Sequence, residues 1–288
     1  MDTIRNPVEW TVDQLKSAAQ AARSLAHSIR GARAGPDAPL PAIRRIAIAD
    51  LRDVLASGLD DFRTFRTDVI FVCVIYPVVG IILAAFAFRH DLLPLLFPLG
   101  SGFALVGPIA ATGLYEMSRR REQGLAASWL DGFGMVRSPS FGALVVLGLV
   151  MLTIFLLWLL TAQVIYVFTL GPEPPSSITA FARDVFTTGA GWALIIVGTG
   201  VGFVFAVVVL TISVVSFPML LDRDVGLGVA ISTSVRVVVA NPRPMAAWGM
   251  IVAGSLAIGS IPLLLGLIIV IPVLGHATWH LYRKVVPR

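Results

Sequence analysis

The run FGALVVLGLVMLTIFLLWLLTAQVIYVF, residues 141–168, decides the fold of this chain. It contains no Asp, Glu, Lys, Arg or His, and Gln163 is its most polar residue. A second run, residues 191–221, is equally free of charge. A helix needs about 20 consecutive apolar residues to cross a bilayer, and both runs exceed that length. The two stretches therefore predict membrane-spanning helices.

The composition of the remaining chain agrees with a lipid environment. Of the 288 residues, 57% are hydrophobic and only 14% are charged. Soluble domains have about 45–50% apolar and roughly 25% charged residues, so this chain has too few charges to cover a water-facing surface. Its single cysteine, Cys73, excludes a disulfide framework and a cysteine-only zinc site, because both need several thiols.

Six apolar runs are long enough to be spans, which predicts an all-α polytopic helix bundle. They lie near 69–88, 92–115, 141–168, 191–221, 245–260 and 262–282. Only the turn Gly259-Ser260-Ile261-Pro262 separates the last two runs. Five spans with a long, broken last helix are therefore the alternative.

The distribution of basic residues predicts the orientation. Twenty of the 22 Lys and Arg residues precede the first span, follow the sixth, or lie between spans two and three or four and five. Arg89 and Arg183 are the other two. The positive-inside rule then predicts a multi-pass membrane protein with both termini in the cytoplasm. Acidic residues nearly balance basic ones before the first span, so we expect the lipid bilayer, and no nucleic acid, as a partner.

The sequence divides the chain into three predicted regions. Residues 1–42 form an Ala-rich N-terminal arm and a Gly/Pro-rich linker, residues 43–67 an amphipathic helix, and residues 68–288 the membrane domain. The apolar stripe of the amphipathic helix comprises Ile43, Ala47, Leu51, Val54, Leu55, Gly58, Leu59 and Phe62. This stripe can lie in the membrane interface or pack across the ends of the bundle.

Similar stripes recur before spans three and five. They comprise Leu125, Trp129, Gly132, Phe133 and Val136 in one copy, and Leu227, Ile231, Val235 and Val238 in the other. The pattern predicts three units, each an amphipathic helix followed by a two-helix hairpin.

Few residues inside the spans are suited to catalysis or to ion coupling. Spans one to five have no Asp, Glu, Lys, Arg or His away from their ends, which argues against proton-coupled or cation-coupled transport. The spans are rich in Gly and Pro, which indicates either tight helix packing or broken helices that expose backbone.

Two small groups are the candidate functional residues. Glu116 lies three and four positions before Arg119 and Arg120, which predicts an ion pair at a helix end, with a catalytic or coupling carboxylate as the alternative. His276 and His280 share a helix face because four positions separate them, so they could bind a divalent metal, or one of them a haem. The alternative is a pair of interfacial polar residues beside Trp279 and Tyr282.

Three stretches resemble a bacterial family of integral membrane proteins of unknown function. They are YPVVG at 76–80, LLFPLGSGFALVGPIAATGLYEMSRRREQG at 95–124 and GHATWHLYR at 275–283. Some members are labelled as similar to cytochrome c oxidase subunit I. That subunit uses several haem and copper histidines, whereas this chain has four histidines in all. The resemblance implies a six-span protein of the bacterial inner membrane and supplies no activity.

The sequence contains no phosphate loop, nucleophile elbow or HExxH motif, so we do not expect an enzyme. No cofactor is predicted, apart from the haem or metal alternative at the two histidines. The leading hypothesis is a non-enzymatic accessory or assembly factor of another membrane complex. A transporter of a neutral or lipid-like solute and a haem- or metal-binding respiratory subunit are the alternatives.

Overall fold

The computed structural model describes residues 40–65, 73–89, 92–128, 130–132 and 140–288. This part of the chain is helical and contains no strand, which confirms the predicted all-α membrane bundle. Its helices are α1 Asp50–Thr64, α2 Ile75–Arg89, α3 Leu96–Ala110, α4 Thr112–Glu122, α5 Phe141–Thr169, α6 Ile178–Thr187, α7 Gly189–Ser213, α8 Ser216–Asp222, α9 Leu227–Ala240, α10 Pro242–Ser260 and α11 Leu267–Val285. A short 3₁₀ helix, Leu93–Leu95, precedes α3.

Two helical stretches in the described part are long and apolar enough to cross a membrane by themselves. They are Phe141–Thr169, with 29 residues, and Gly189–Asp222, with 34 residues. A bent pair, Leu93–Gly102 and Gly107–Glu122, is a third candidate if it forms one span. The other predicted spans coincide with α2, α10 and α11, which do not pass this test, so six spans remain a prediction.

Only Ala111 separates α3 from α4, and helical hydrogen bonds continue across it: the Ala111 N–H donates to the Gly107 carbonyl at 2.9 Å and the Tyr115 N–H to the Ala111 carbonyl at 3.0 Å. The bend of this pair lies earlier, between Gly102 and Gly107. Pro108 lies inside α3 and has no N–H to donate. The Thr112 hydroxyl donates to the Ile109 carbonyl at 2.7 Å and to the Pro108 carbonyl at 3.2 Å.

Helices α10 and α11 form an antiparallel hairpin, so the last two apolar runs are not one broken helix. Arg44 links the start of α10 to the end of α11. Its N–H donates to the Val285 carbonyl at 2.9 Å, and its carbonyl accepts from Asn241 Nδ2 at 3.3 Å. At the other end Gly259 and Gly266 are in close contact, and a Cβ on Gly266 would lie 2.7 Å from the Gly259 Cα.

The turn between these two helices is apolar and exposed. It contains Ile261, Leu263 and Leu265, and the Ile261 side chain is 79% exposed. Leu263 and Leu264 adopt the left-handed conformation, with φ values of 51° and 66°. An apolar turn of this kind is typical of a segment surrounded by lipid rather than by water.

The best-packed region lies at one end of the bundle. Helix α1 packs mainly against α11, and α11 also contacts α4 and α8. Large side chains that are fully buried there include Phe217, Trp279 and Tyr282. By contrast, α5 and α7 leave many apolar side chains exposed along their length, as expected of helices in contact with lipid.

The contacts of helix α1 show where the first amphipathic stripe packs. Leu51, Val54, Gly58 and Phe62 are buried, and Gly58 lies directly against the backbone of Ala277 in α11. The stripe therefore packs across the ends of the bundle.

The first amphipathic helix begins later than residue 43. It starts at Asp50, because the preceding backbone is bonded elsewhere: the Ile46 N–H donates to Asn241 Oδ1 at 2.8 Å, and the Ala47 N–H donates to Asp50 Oδ2 at 2.7 Å. The segment before Asp50 thus runs along the start of α10.

The three predicted stripes have different outcomes. The third coincides with helix α9. In the second, Leu125 lies in an irregular segment, Gly132 lies in a short helical turn, and the other three members fall outside the described residues. A helix in the second unit therefore stays a prediction.

Candidate functional site

Four polar side chains from three helices meet at the packed end of the bundle. They are Asp61 from α1, Ser118 from α4, and His276 and His280 from α11. We call these four residues the Asp–His cluster. Helix α11 can approach α1 this closely because Gly58 has no side chain at the crossing.

Asp61 is the centre of the Asp–His cluster. Its Oδ2 accepts from the Ser118 hydroxyl at 2.6 Å and lies 2.9 Å from His280 Nε2, while its Oδ1 forms an ion pair with Arg121. The Asp61 residue is only 2% exposed. Burial by itself raises the pKa of Asp61, but the bonds from His280, Ser118 and Arg121 outweigh it and hold the pKa below its ordinary value. Asp61 is therefore a carboxylate at neutral pH.

His276 is fully buried and is joined to Asp61 through Ser118. Its Nδ1 lies 2.8 Å from the Ser118 oxygen and 4.0 Å from Asp61 Oδ2. A hydroxyl has one proton, and Ser118 gives it to the carboxylate, so we assign the donor role in the second bond to His276 Nδ1–H. The neutral ring then has an unprotonated Nε2, and this atom makes no hydrogen bond within the described part of the chain.

The two predicted histidines thus do lie together, but their nearest polar contacts are protein side chains. His280 uses Nε2 for Asp61, and His276 uses Nδ1 for Ser118. Among the described residues, no group of three or more His, Cys, Asp or Glu side chains could hold a metal ion. These contacts leave two ring nitrogens, His276 Nε2 and His280 Nδ1, for a metal or haem, and a site for either ligand stays a prediction.

Glu116 pairs with Arg119 at the end of α4. The guanidinium donates to both carboxylate oxygens, at 2.7 and 2.8 Å. Arg120, the other candidate partner, instead contacts Asp131 at 3.3 Å and the Ala126 carbonyl at 3.0 Å. Both arginines therefore hold neighbouring parts of the polypeptide together near the end of the helix.

A second set of ion pairs ties α11 to its neighbours. Arg283 lies between Glu122 at the end of α4 and Asp222 at the end of α8, at 3.0 and 3.1 Å. The Tyr282 hydroxyl donates to the same Asp222 at 2.7 Å, and Trp279 Nε1 donates to Glu122 at 3.1 Å.

The last turn of α11 is also bound to α1. Lys284 lies 3.0 Å from Asp50 and 2.8 Å from Asp53. Together with the Asp–His cluster, these contacts form three groups of polar side chains at the same end of the bundle, which we call the polar layer: Asp50, Asp53 and Lys284; Asp60, Asp61, Ser118, Arg121, His276 and His280; and Glu122, Asp222, Tyr282 and Arg283. Its chemistry is that of a structural clamp over the ends of four helices.

Sequence reasoning did not select Asp61, Ser118 or Arg121. Asp61 follows Asp60 on the polar side of an amphipathic pattern, where both resemble solvent-exposed residues. Ser118 and His276 are 158 positions apart, so no local spacing joins them. Asp61 can be recognised only when α1 is packed against α11, because this packing buries the Asp61 side chain.

The fold and the polar layer define an all-α integral membrane helix bundle with a clamped end. Residues 96–222, somewhat less than half of the chain, match the model of a family described as "Predicted integral membrane protein (DUF2189)". This match confirms, over α3 to α8, the resemblance to a membrane family of unknown function. It includes Ser118 but not Asp61, His276 or His280. No curated protein and no solved structure matches the chain.

Proposed function

We propose that this chain is a multi-pass protein of the bacterial inner membrane that serves as a non-enzymatic accessory or assembly factor of another membrane complex. The outward face of α7 carries this proposal. Ile196, Thr199, Gly200, Phe203 and Val207 recur at helical spacing on that face, and three of them are large apolar side chains open to the surroundings.

The centre of this face is suited to a neighbouring helix. A Cβ on Gly200 would have no atom within 4 Å, so the surface beside it is open. Phe203, one turn further along the same face, is 68% exposed. Small residues beside large ones let the backbones of two membrane helices approach, because packing rather than hydrophobic transfer drives helix association in lipid.

The polar layer favours an accessory role over transport. A solute pathway along the bundle would have to open at the end where Trp279, Tyr282 and Phe217 fill the space between helices. Ion pairs from Arg283 and Lys284 hold those helices together. A clamp of this kind supports a fixed scaffold better than it supports alternating access.

The positions of the helix ends support the proposed threading. Glu122, Asp222 and Arg283, which follow or end three apolar segments, meet in the polar layer. Helix α5 has 29 residues and therefore rises about 43 Å, enough to cross a bilayer. With the basic residues on the side of the polar layer, that layer faces the cytoplasm.

A photo-reactive residue in native membranes tests the accessory role. We would place p-benzoylphenylalanine at Ile196 or Phe203 of α7 and, as a control, at Leu160, an exposed apolar position of α5. The expected result is one membrane protein, identified by mass spectrometry, crosslinked from both α7 positions and not from Leu160. Absence of a protein adduct at α7, or equal yields of the same adduct from all three positions, contradicts the proposal.

A haem or metal subunit is the second candidate, and the unpaired His276 Nε2 is the observation that favours it. His280 uses Nε2 for Asp61, so it could contribute only its Nδ1 while that contact holds. Another group would have to complete the coordination.

A further inference from the structure

A groove lies between the segment that precedes α1 and the last turns of α9. Ile43, Arg45, Val235, Arg236, Val239 and Ala240 line it, and its volume is about 430 Å³. Asn241 holds the two walls together, because its side chain bonds to the backbone of Ile46 and of Arg44 on either side of Arg45. We call this feature the basic groove.

The two arginines of the basic groove differ from those of the polar layer. Arg45 and Arg236 are exposed, and within the described residues neither forms an ion pair with a carboxylate. The polar contact that Arg236 makes is a 3.5 Å approach to the Pro41 carbonyl. Of the residues that the structure describes, none that lines the groove is acidic. Its charge is therefore available to an external anion.

The other wall of the basic groove is apolar. Val239 is 73% exposed, and Val235 and Ile43 lie beside it. A phosphate ion would pair with guanidinium groups but leave these aliphatic side chains in contact with water. A molecule with an anionic head and a hydrocarbon tail satisfies both walls, because arginine binds phosphate oxygens through its planar fork and valine packs against acyl chains.

We propose that the basic groove binds the headgroup and first acyl carbons of an anionic phospholipid. The argument rests on charge complementarity: two exposed guanidinium groups without carboxylate partners stand next to an apolar surface in a membrane protein. Anionic lipids of the cytoplasmic leaflet attract basic residues near the membrane surface. This binding does not depend on the accessory role, since it needs only the groove and a bilayer.

Native mass spectrometry of the full chain in detergent measures this binding. Phosphatidylglycerol and phosphatidylcholine with the same acyl chains are the probes, and inorganic phosphate is a competitor. The test variant is Arg45→Gln/Arg236→Gln. The matched control is Arg52→Gln/Arg63→Gln, which removes two exposed arginines of α1 that also lack an ion pair in the described part of the chain.

We expect the wild type and the control to bind one phosphatidylglycerol in preference to phosphatidylcholine. Because each basic residue near an anionic surface contributes about 1 kcal/mol, the test variant should bind about 30-fold more weakly. Val239→Asn should also weaken lipid binding, which a site for phosphate alone would not show. Equal losses in the test and control variants, equal binding of both lipids, or full competition by millimolar phosphate would each overturn the proposal.

Discussion

Replacing Asp61 by asparagine tests the view that the polar layer clamps the helix ends. The asparagine side chain would keep one carbonyl acceptor for Ser118 or His280 but would lose the charge that pairs with Arg121. Removing one partner of a buried ion pair costs about 3–5 kcal/mol. The Arg121 side chain is 36% exposed and can recover part of its hydration. We therefore expect a loss of about 2–3 kcal/mol.

The single cysteine provides the assay. Cys73 is buried, so a maleimide dye that fluoresces on reaction reports unfolding when the purified protein is heated in detergent. At about 2–4 °C per kcal/mol, the midpoint of the variant should fall by about 5–10 °C. The matched control is Asp60→Asn, because Asp60 pairs with the same Arg121 but has a 64% exposed side chain. Exposed pairs contribute about 0–1 kcal/mol, so this control should shift little.

The dependence on pH adds a second readout. The pKa of Asp61 is lowered in the folded protein, so the carboxylate stabilises the fold above its ordinary value of 3.8 and loses that effect as the pH falls through the lowered value. The difference between wild type and Asp61→Asn should shrink below pH 4, because the unfolded chain then takes up the proton that the folded carboxylate resists. Equal melting of the Asp61 and Asp60 variants, or a difference that does not shrink below pH 4, would refute the clamp.

Three further outcomes are expected. A reporter fused after Arg288 should be cytoplasmic and one inserted at Ser176 periplasmic; a cytoplasmic signal at Ser176 would contradict the threading. Gly58→Ala should lower the melting midpoint by several degrees, because its Cβ would lie 2.6 Å from backbone of α11, whereas Gly228→Ala, with nothing within 4 Å, should not; equal effects would argue against the crossing. A reduced-minus-oxidised spectrum of the wild type should show no haem band that His276→Ala removes, because the ring has a structural role beside Ser118; such a band would establish the haem alternative.

Much of the fold follows from local composition. The runs that contain α5 and α7 are apolar over a length that predicts a membrane-spanning helix, and charged residues lie where the helices end. The first residue of α1 does not follow in this way. The stripe continues back to Ile43, but the N–H of Ile46 bonds to Asn241, and this contact lies 195 positions away in the chain.

The candidate site was predictable only in part. The four-residue spacing places His276 and His280 on one face of a helix. In the structure both rings make their polar contacts from that face, His276 with Ser118 and His280 with Asp61. The partner that the two histidines share is an aspartate of α1, and its identity depends on whether Asp60 or Asp61 faces α11. The rotation of α1 about its axis decides this, and the contact at Gly58 fixes that rotation. A packing contact between distant helices leaves no periodic signal in the sequence.

The apolar turn between α10 and α11 also bears on how the chain enters the membrane. Residues 260–266 contain no charged side chain, whereas the connection between α5 and α7 contains Glu173, Arg183 and Asp184. Moving a charge across a bilayer is unfavourable, so in the proposed threading the connection between α5 and α7 needs the translocation machinery to carry it over. In the same threading, the last hairpin can partition into lipid tip first with no charge to translocate. The ion pairs of Arg283 and Lys284 would then form only after this hairpin has inserted, so the clamp would close late in assembly.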